Sequence, residues 1–171
     1  MVVTIRRFEK SDIPKKVEWI NNPENNQFLH YDIPLRQDKT EKWFEGIQGR
    51  EDRYDAVIEA DGVPVGTIGL LSIDKKNAKA EYYIAMGETE YKGKGVARQA
   101  TALLLQYGFG TLGLNRIYLF TEAENMAAQR MFEKVGFKKE GCIRQDILSH
   151  GKYADRMIYG YLREDWAENH G

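Results

Sequence analysis

The chain changes its hydrophobic rhythm twice, passing from a helical opening to a run of strands and then to an alternating tail. Residues 2–6 alternate like a short strand. Ser11-Asp12 offers an N-cap, and Ile13, Val17 and Ile20 follow at helical spacing. Asn21-Asn22-Pro23 breaks that helix and opens a short second one. Residues 38–47 predict another helix, with Trp43, Phe44 and Ile47 on one side. From residue 54 the period becomes two. Residues 54–60 and 63–73 flank Asp61-Gly62, a hairpin turn in which both central positions accept positive φ. Residues 78–86 (AKAEYYIAM) read as a third strand. Residues 96–112 return to a helical period, with Val96, Ala100, Leu103, Leu104 and Tyr107 on one stripe. Residues 115–121 (NRIYLFT) form a strand, and Asn125 caps a helix carrying Ala128, Met131, Phe132 and Val135, closed by Gly136. Residues 138–148 and 152–162 read as a hairpin across Ser149-His150-Gly151. The order is mixed α/β: an antiparallel run, a helical crossover and a closing hairpin.

Composition narrows the function classes. With 171 residues, 42% hydrophobic and 30% charged, the sequence is that of an ordinary globular domain. No repeat, low-complexity tract or linker divides it. A formal net charge of −1 argues against a nucleic-acid partner. No apolar run approaches the roughly 20 residues that span a bilayer, so no membrane role is expected. The first residues lack an apolar secretory core, and the expected location is the cytoplasm. One cysteine, Cys142, excludes a disulfide framework. His30, His150 and His170 stand far apart without ligand spacing, so no metal is expected.

The strand AKAEYYIAM leads into Tyr91-Lys92-Gly93-Lys94-Gly95-Val96-Ala97, which opens a long helix. The first amides of a helix have no intrahelical partner, and the macrodipole adds about half a positive charge there. Gly93 and Gly95 let the backbone approach an anion closely, and Lys92 and Lys94 add charge at the rim. A P-loop needs Ser or Thr after its lysine, but Gly95 follows Lys94. The dinucleotide fingerprint needs a small residue where Arg98 stands, and a first strand near the chain start. Neither fits. What remains is an anion site suited to a pyrophosphate, or a plain strand-to-helix turn.

A second block decides between them. Lys92-Gly93-Lys94-Gly95-Val96-Ala97 resembles the phosphate signature of the GNAT acetyltransferase superfamily, with Lys92 in place of the usual Gln or Arg. Glu124 to Phe137 (ENMAAQRMFEKVGF) is similar to the superfamily's N-x-x-A-x-x-x-[YF]-E-K-x-G-F segment, and lies downstream with a strand between. Trp19-Ile20-Asn21-Asn22-Pro23-Glu24, Ala80-Glu81-Tyr82 and Gly151-Lys152-Tyr153-Ala154-Asp155 look most like the branch holding ribosomal-protein N-terminal, spermidine and nucleotide-aminosugar acetyltransferases. The resemblance implies an α/β (α+β) GNAT fold: a mixed, mostly antiparallel twisted sheet of about seven strands, flanked by helices and splayed at its centre. It implies one domain over residues 1–171, with acceptor-side helices about 11–48, an acetyl-CoA core about 54–137 and a terminal hairpin about 138–162. It also implies acetyl-CoA as co-substrate. The pantetheine arm would pair with backbone at Ile84, Ala85 and Met86. The pyrophosphate would sit on residues 92–97, and Asn125 and Phe132 would complete the cofactor site.

The chemistry sets further requirements. A primary amine is mostly ammonium at neutral pH, and freeing its lone pair costs roughly 4–5 kcal/mol. Transfer therefore needs a proton acceptor, a dry pocket and amides that polarise the thioester carbonyl. Glu81, charged within an apolar-aromatic strand, is the expected base; Glu59 is a weaker candidate. Many superfamily members carry a Tyr at the position of Phe132, as acid for the leaving thiolate. Phe132 has no proton to give, so Tyr31, Tyr83, Tyr153 or solvent takes that part. Trp19, His30, Tyr31 and Tyr153, with Phe28 and Trp43, are expected to line the acceptor pocket. The segment 19–44 is not conspicuously acidic, which weakens a polyamine acceptor beside an aminosugar nucleotide or a peptide N-terminus. The competing class is a non-catalytic acyl-CoA-binding sensor of the same fold. Exposed sheet edges make a homodimer plausible.

Overall fold

The computed structural model describes residues 1–170, except the side chains of residues 169 and 170; the His170 side chain thus lies outside the described residues. In chain order the elements are β1 (Val3–Arg7), α1 (Ile13–Asn21), α2 (Gln37–Ile47), β2 (Tyr54–Ala60), β3 (Val63–Asp74), β4 (Lys79–Met86), α3 (Val96–Leu105), β5 (Arg116–Glu122), α4 (Met126–Val135), β6 (Lys138–Ser149), β7 (Lys152–Leu162) and α5 (Arg163–His170). The strands form one seven-stranded sheet in the order β1-β2-β3-β4-β5-β7-β6. Every neighbouring pair is antiparallel except β4 and β5, which run parallel across the α3 crossover.

The turns follow from their residues. Asp61 (φ 49°) and Gly62 (φ 81°) both take the left-handed conformation that a two-residue hairpin needs. His150 and Gly151 do the same between β6 and β7. Two apolar layers enclose the sheet. On one face Ala56, Ile58, Leu70 and Tyr82 pack with Val96, Ala100 and Leu104 of α3 and Phe132 of α4. On the other, Val57 packs with Phe8, Ile13, Val17, Trp43 and Phe44 from the α1–α2 segment. A strand with helices over both faces reads as a continuous apolar run, and residues 65–70 of β3 are all buried.

Several expectations are corrected. Asp12 stands at the start of α1 but does not cap it with its side chain. Its carboxylate accepts two hydrogen bonds from Arg6 at 2.8 Å and one from the Glu9 amide, because the guanidinium beside it is the stronger partner. No helix follows Pro23; residues 23–25 form a turn. The crossover helix ends at Leu105 and continues as a π-helical turn over Gln106–Thr111, which carries Phe109 into the core. Leu103 is only half-buried. The terminal helix α5, absent from the sequence pattern, docks through Trp166 on Phe109 (ring centroids 5.5 Å apart).

Candidate active site

β4 and β5 pair only at Lys79↔Arg116, Ala80↔Ile117 and Glu81↔Tyr118. Beyond that point β4 stays with β3 through Met86, while β5 stays with β7 through Glu122. The two parallel strands therefore part, and the edge of β4 from Tyr82 to Met86 faces β5 without a ladder. An extended chain inserted there would find the unpaired backbone groups of Ile84, Ala85 and Met86. Glu81 stands where the wedge opens.

The glycine loop leaves the end of β4. Gly93 (φ 76°) and Gly95 (φ 80°) are left-handed, a conformation glycine adopts without steric cost. A Cβ built on Gly93 meets nothing within 4 Å, and one on Gly95 only reaches Gln99 Nε2 at 4.0 Å. The loop's outer side is open. Gly95 is the N-cap of α3 without a capping side chain, and the first intrahelical bond runs from the Gln99 amide to Gly95. The amides of Val96, Ala97 and Arg98 point outward at the positive end of the helix. This cradle fits a pyrophosphate. Lys94 lies over the Tyr91 ring at 5.8 Å. Lys92 turns its ammonium to Asn25 Oδ1 (2.7 Å) and the Glu24 carbonyl, tying the loop to the segment between α1 and α2.

Asn125 caps α4, its side-chain oxygen accepting from the Ala128 amide at 3.3 Å. Its carboxamide nitrogen has no partner among the described residues. Phe132 is buried among Tyr82, Phe137 and Tyr159, with ring centroids 5.6–6.3 Å away. The tyrosines suggested as acids have other surroundings: Tyr83 donates to Asp55 Oδ1 at 2.5 Å, Tyr31 packs by Lys16, and Tyr153 is 69% exposed.

Glu81 shares its face of the sheet with Tyr118, Phe120 and Glu122 of β5. Burial pushes its carboxyl above the usual range, and the Arg156 guanidinium works against that shift. Arg156 stacks over Phe120 at 4.7 Å and is fixed by Asp146 at 2.7 Å. Glu59, the weaker candidate base, instead accepts from Arg6 at the β1–β2 edge, two strands from the wedge.

A cleft of about 790 Å³ lies at the end of β5. Phe28 and Gln27 from the N-terminal segment, Glu122 and Glu124, and Tyr153 and Asp155 of the hairpin line it. His150 reaches across to the Gln27 carbonyl at 2.8 Å, joining hairpin and segment. Of the expected acceptor residues, Tyr153 and Phe28 are here, and His30 abuts the cleft by its bond to Glu122. Three others belong elsewhere. Trp19 is 4% exposed, its indole NH on Glu88 (2.9 Å) and its ring against the bare backbone of Gly87. Tyr31 and Trp43 enclose the Lys16 ammonium, because an amphipathic stem drawn under α2 is best covered by aromatic faces. Sequence reasoning missed Glu122, Ser149 and Arg156. Glu122 carried the same signal as Glu81, a charge alternating with the aromatic residues Tyr118 and Phe120.

Comparison with known proteins agrees with this geometry. Residues 3–138 match the family model described as "Acetyltransferase (GNAT) domain". The chain belongs to the GNAT acetyltransferase family. It is 31% identical over 147 residues to the SPbeta prophage-derived uncharacterized N-acetyltransferase YokL of Bacillus subtilis, covering 86% of this chain and 81% of that protein. It is 29% identical over 155 residues to a spermidine N(1)-acetyltransferase of Vibrio cholerae, covering 90% and 88%. A crystal structure of spermidine N-acetyltransferase from Vibrio cholerae in complex with CoA and spermine superposes with a TM-score of 0.90 at 26% identity, over 96% of this chain and 98% of that one. The mixed, mostly antiparallel seven-stranded sheet is thus a GNAT fold. No helix among the described residues is long and apolar enough to cross a membrane.

Proposed function

We propose that the protein transfers acetyl from acetyl-CoA to a primary amine of a small polyamine-like acceptor, by direct attack. The observation that carries this reading is the wedge between β4 and β5, with the glycine cradle following one strand and an acidic cleft at the end of the other. The thioester arm lies along Ile84, Ala85 and Met86. The pyrophosphate rests on the amides of residues 93–97, with Lys94 at the rim. The free carboxamide nitrogen of Asn125 faces the cofactor, and Phe132 walls the site with an apolar ring. Glu81, at the apex of the wedge, presents its carboxylate to the amine.

The acceptor class follows from charge. Glu122, Glu124 and Asp155 line the cleft against a single lysine, Lys152. A polycation gains from several carboxylates in one cleft, whereas an aminosugar nucleotide would bring its phosphates up against them. The Vibrio cholerae relative bears a spermidine acetyltransferase name, and its structure holds spermine. Phe132 in place of a tyrosine leaves solvent to protonate the departing thiolate, whose free pKa of about 8.5 makes it a fair leaving group unaided.

A thiol-release assay tests the reading. Spermidine and spermine are expected to give kcat/KM at least about fivefold above an uncharged-tail amine, a peptide N-terminus or an aminosugar nucleotide, the upper worth of one exposed charge contact. Preference for either of the last two overturns the acceptor class. Acetyl-CoA binding without turnover on any amine overturns the enzyme in favour of a sensor.

A further inference from the structure

His30, Glu122 and Ser149 come from the N-terminal segment, the end of β5 and the end of β6, and they meet at one oxygen. His30 Nε2 lies 2.8 Å from Glu122 Oε2, and Ser149 Oγ donates to the same oxygen at 3.0 Å. Glu122 is 5% exposed, whereas the His30 side chain keeps 29% of its surface. A buried carboxylate that accepts two hydrogen bonds is held as an acceptor, which places the imidazole proton on Nε2. Nδ1 is then left with a lone pair and has no partner among the described residues. The carboxylate is buried and the imidazole open: a base oriented by a group behind it.

We infer that His30 is the group that takes the proton from the acceptor ammonium, with Glu122 and Ser149 as positioning residues. This rests on the amine-acetylation reading above and assigns to His30 the proton step first expected of Glu81. The ammonium gives one proton to His30 Nδ1, and the freed lone pair forms the C–N bond to the acetyl carbonyl carbon. As the tetrahedral intermediate collapses, the C–S bond breaks and the electron pair leaves on sulfur. The nitrogen loses its second proton to solvent, and the thiolate gains one there. His30, whose side chain is partly open to water, returns its proton to solvent between turnovers. The charged groups around the pair are Glu124 beyond β5, Asp155, Arg156 and Lys152 on β7, and His150 at the hairpin turn. Glu81, half-buried and opposed by Arg156, then serves to hold the acceptor's charge at the apex.

Two measurements decide. In His30→Gln, kcat is expected to fall about 100-fold for strongly basic amines, the usual worth of a positioned base. It should fall less than about threefold for a weakly basic amine that is already neutral at the assay pH. Glu122→Gln should show the same dependence on amine basicity at smaller amplitude, with acetyl-CoA binding by calorimetry unchanged in both. A loss equal across all amines, or a basicity-dependent loss in Glu81→Gln alone, overturns the assignment. The second measurement needs no acceptor: nitrogen-15 NMR of the histidine rings should show His30 protonated on Nε2, becoming a tautomer mixture in Glu122→Gln. A bare Nε2 in the parent protein refutes the orientation even where no amine is turned over. Correct tautomers with no turnover refute the acetyl-transfer reading instead.

Discussion

Burial acts on two charged side chains of the acceptor-side layer in opposite senses. It raises the Glu81 carboxyl, with Arg156 opposing. It lowers Lys16 to about 8, with Asp55 opposing. That ammonium sits 3.5 Å from the Trp43 ring centroid, under Phe8 and Tyr31. Because the folded pKa of Lys16 is below its unfolded value, the unfolded chain binds more protons between about pH 8 and 10.5, and stability rises with pH across that window. Relative to Lys16→Met, the parent's unfolding free energy should climb by up to about 3 kcal/mol from pH 7.5 to 10.5, read from denaturant melts. Parallel curves would show that the amine is not desolvated. Glu81→Gln should lower kcat/KM by about fivefold, the upper worth of one carboxylate–ammonium contact, without lowering the melting temperature, since it removes a carboxylate whose charge the fold disfavours. Glu81 was legible in the sequence because one charge interrupts an aromatic strand. Glu122 sends the same signal from the last position of its strand. Its meaning depends on His30 and Ser149, 92 and 27 residues away, which no local pattern joins.

At the scale of elements, the glycine cradle and the start of α4 are where local conformation and the proposed ligand site coincide. Gly95→Ala puts a Cβ at φ 80° and costs about 1–2 kcal/mol of strain. Its Cβ has room, so the fold should survive while the loop rotates its amides. Acetyl-CoA affinity by calorimetry should drop about tenfold, whereas an unchanged Kd would move the phosphates elsewhere. Asn125→Ala removes the cap of α4 and should cost about 1 kcal/mol, a fall of roughly 2–4 °C in Tm. A further loss of cofactor affinity would show that the free carboxamide nitrogen also touches coenzyme A. The strands and these caps were legible because period, turn glycines and capping residues are local signals. The π turn after Leu105 was not, since the apolar stripe runs on through Tyr107 while Gly108 sits tightly against Ile117. Nor was α5, whose segment carries one large apolar residue, Trp166, and no stripe. Both are set by what the rest of the fold presents to them.

Over the whole molecule a net charge of −1 provides no long-range field, so the proposed recognition of a polycation rests on where the charges are placed. Counting carboxylates along residues 19–44 weakened the polyamine reading. Folding brings Glu122 and Glu124 from the end of β5 to Asp155 on β7, and the acidic site exists only in the assembled cleft. Exposed charges act over about 10 Å at 0.1 M salt, and higher salt screens them. Raising ionic strength should therefore raise KM for a triamine more than for a monoamine, with kcat nearly constant for both. Asp155 is a poor residue for mutation, because its carboxylate also accepts from the Gln145 amide and shapes the β6 bulge. Glu124 is exposed at the cleft wall, with no side-chain partner among the described residues. Glu124→Gln should raise the triamine KM about threefold to fivefold and leave the monoamine KM within twofold, one carboxylate–ammonium contact being worth up to about 1 kcal/mol. Equal effects on both acceptors would mean that the cleft binds one amine head and ignores the remaining charges, and the polyamine assignment would give way to a compact amine.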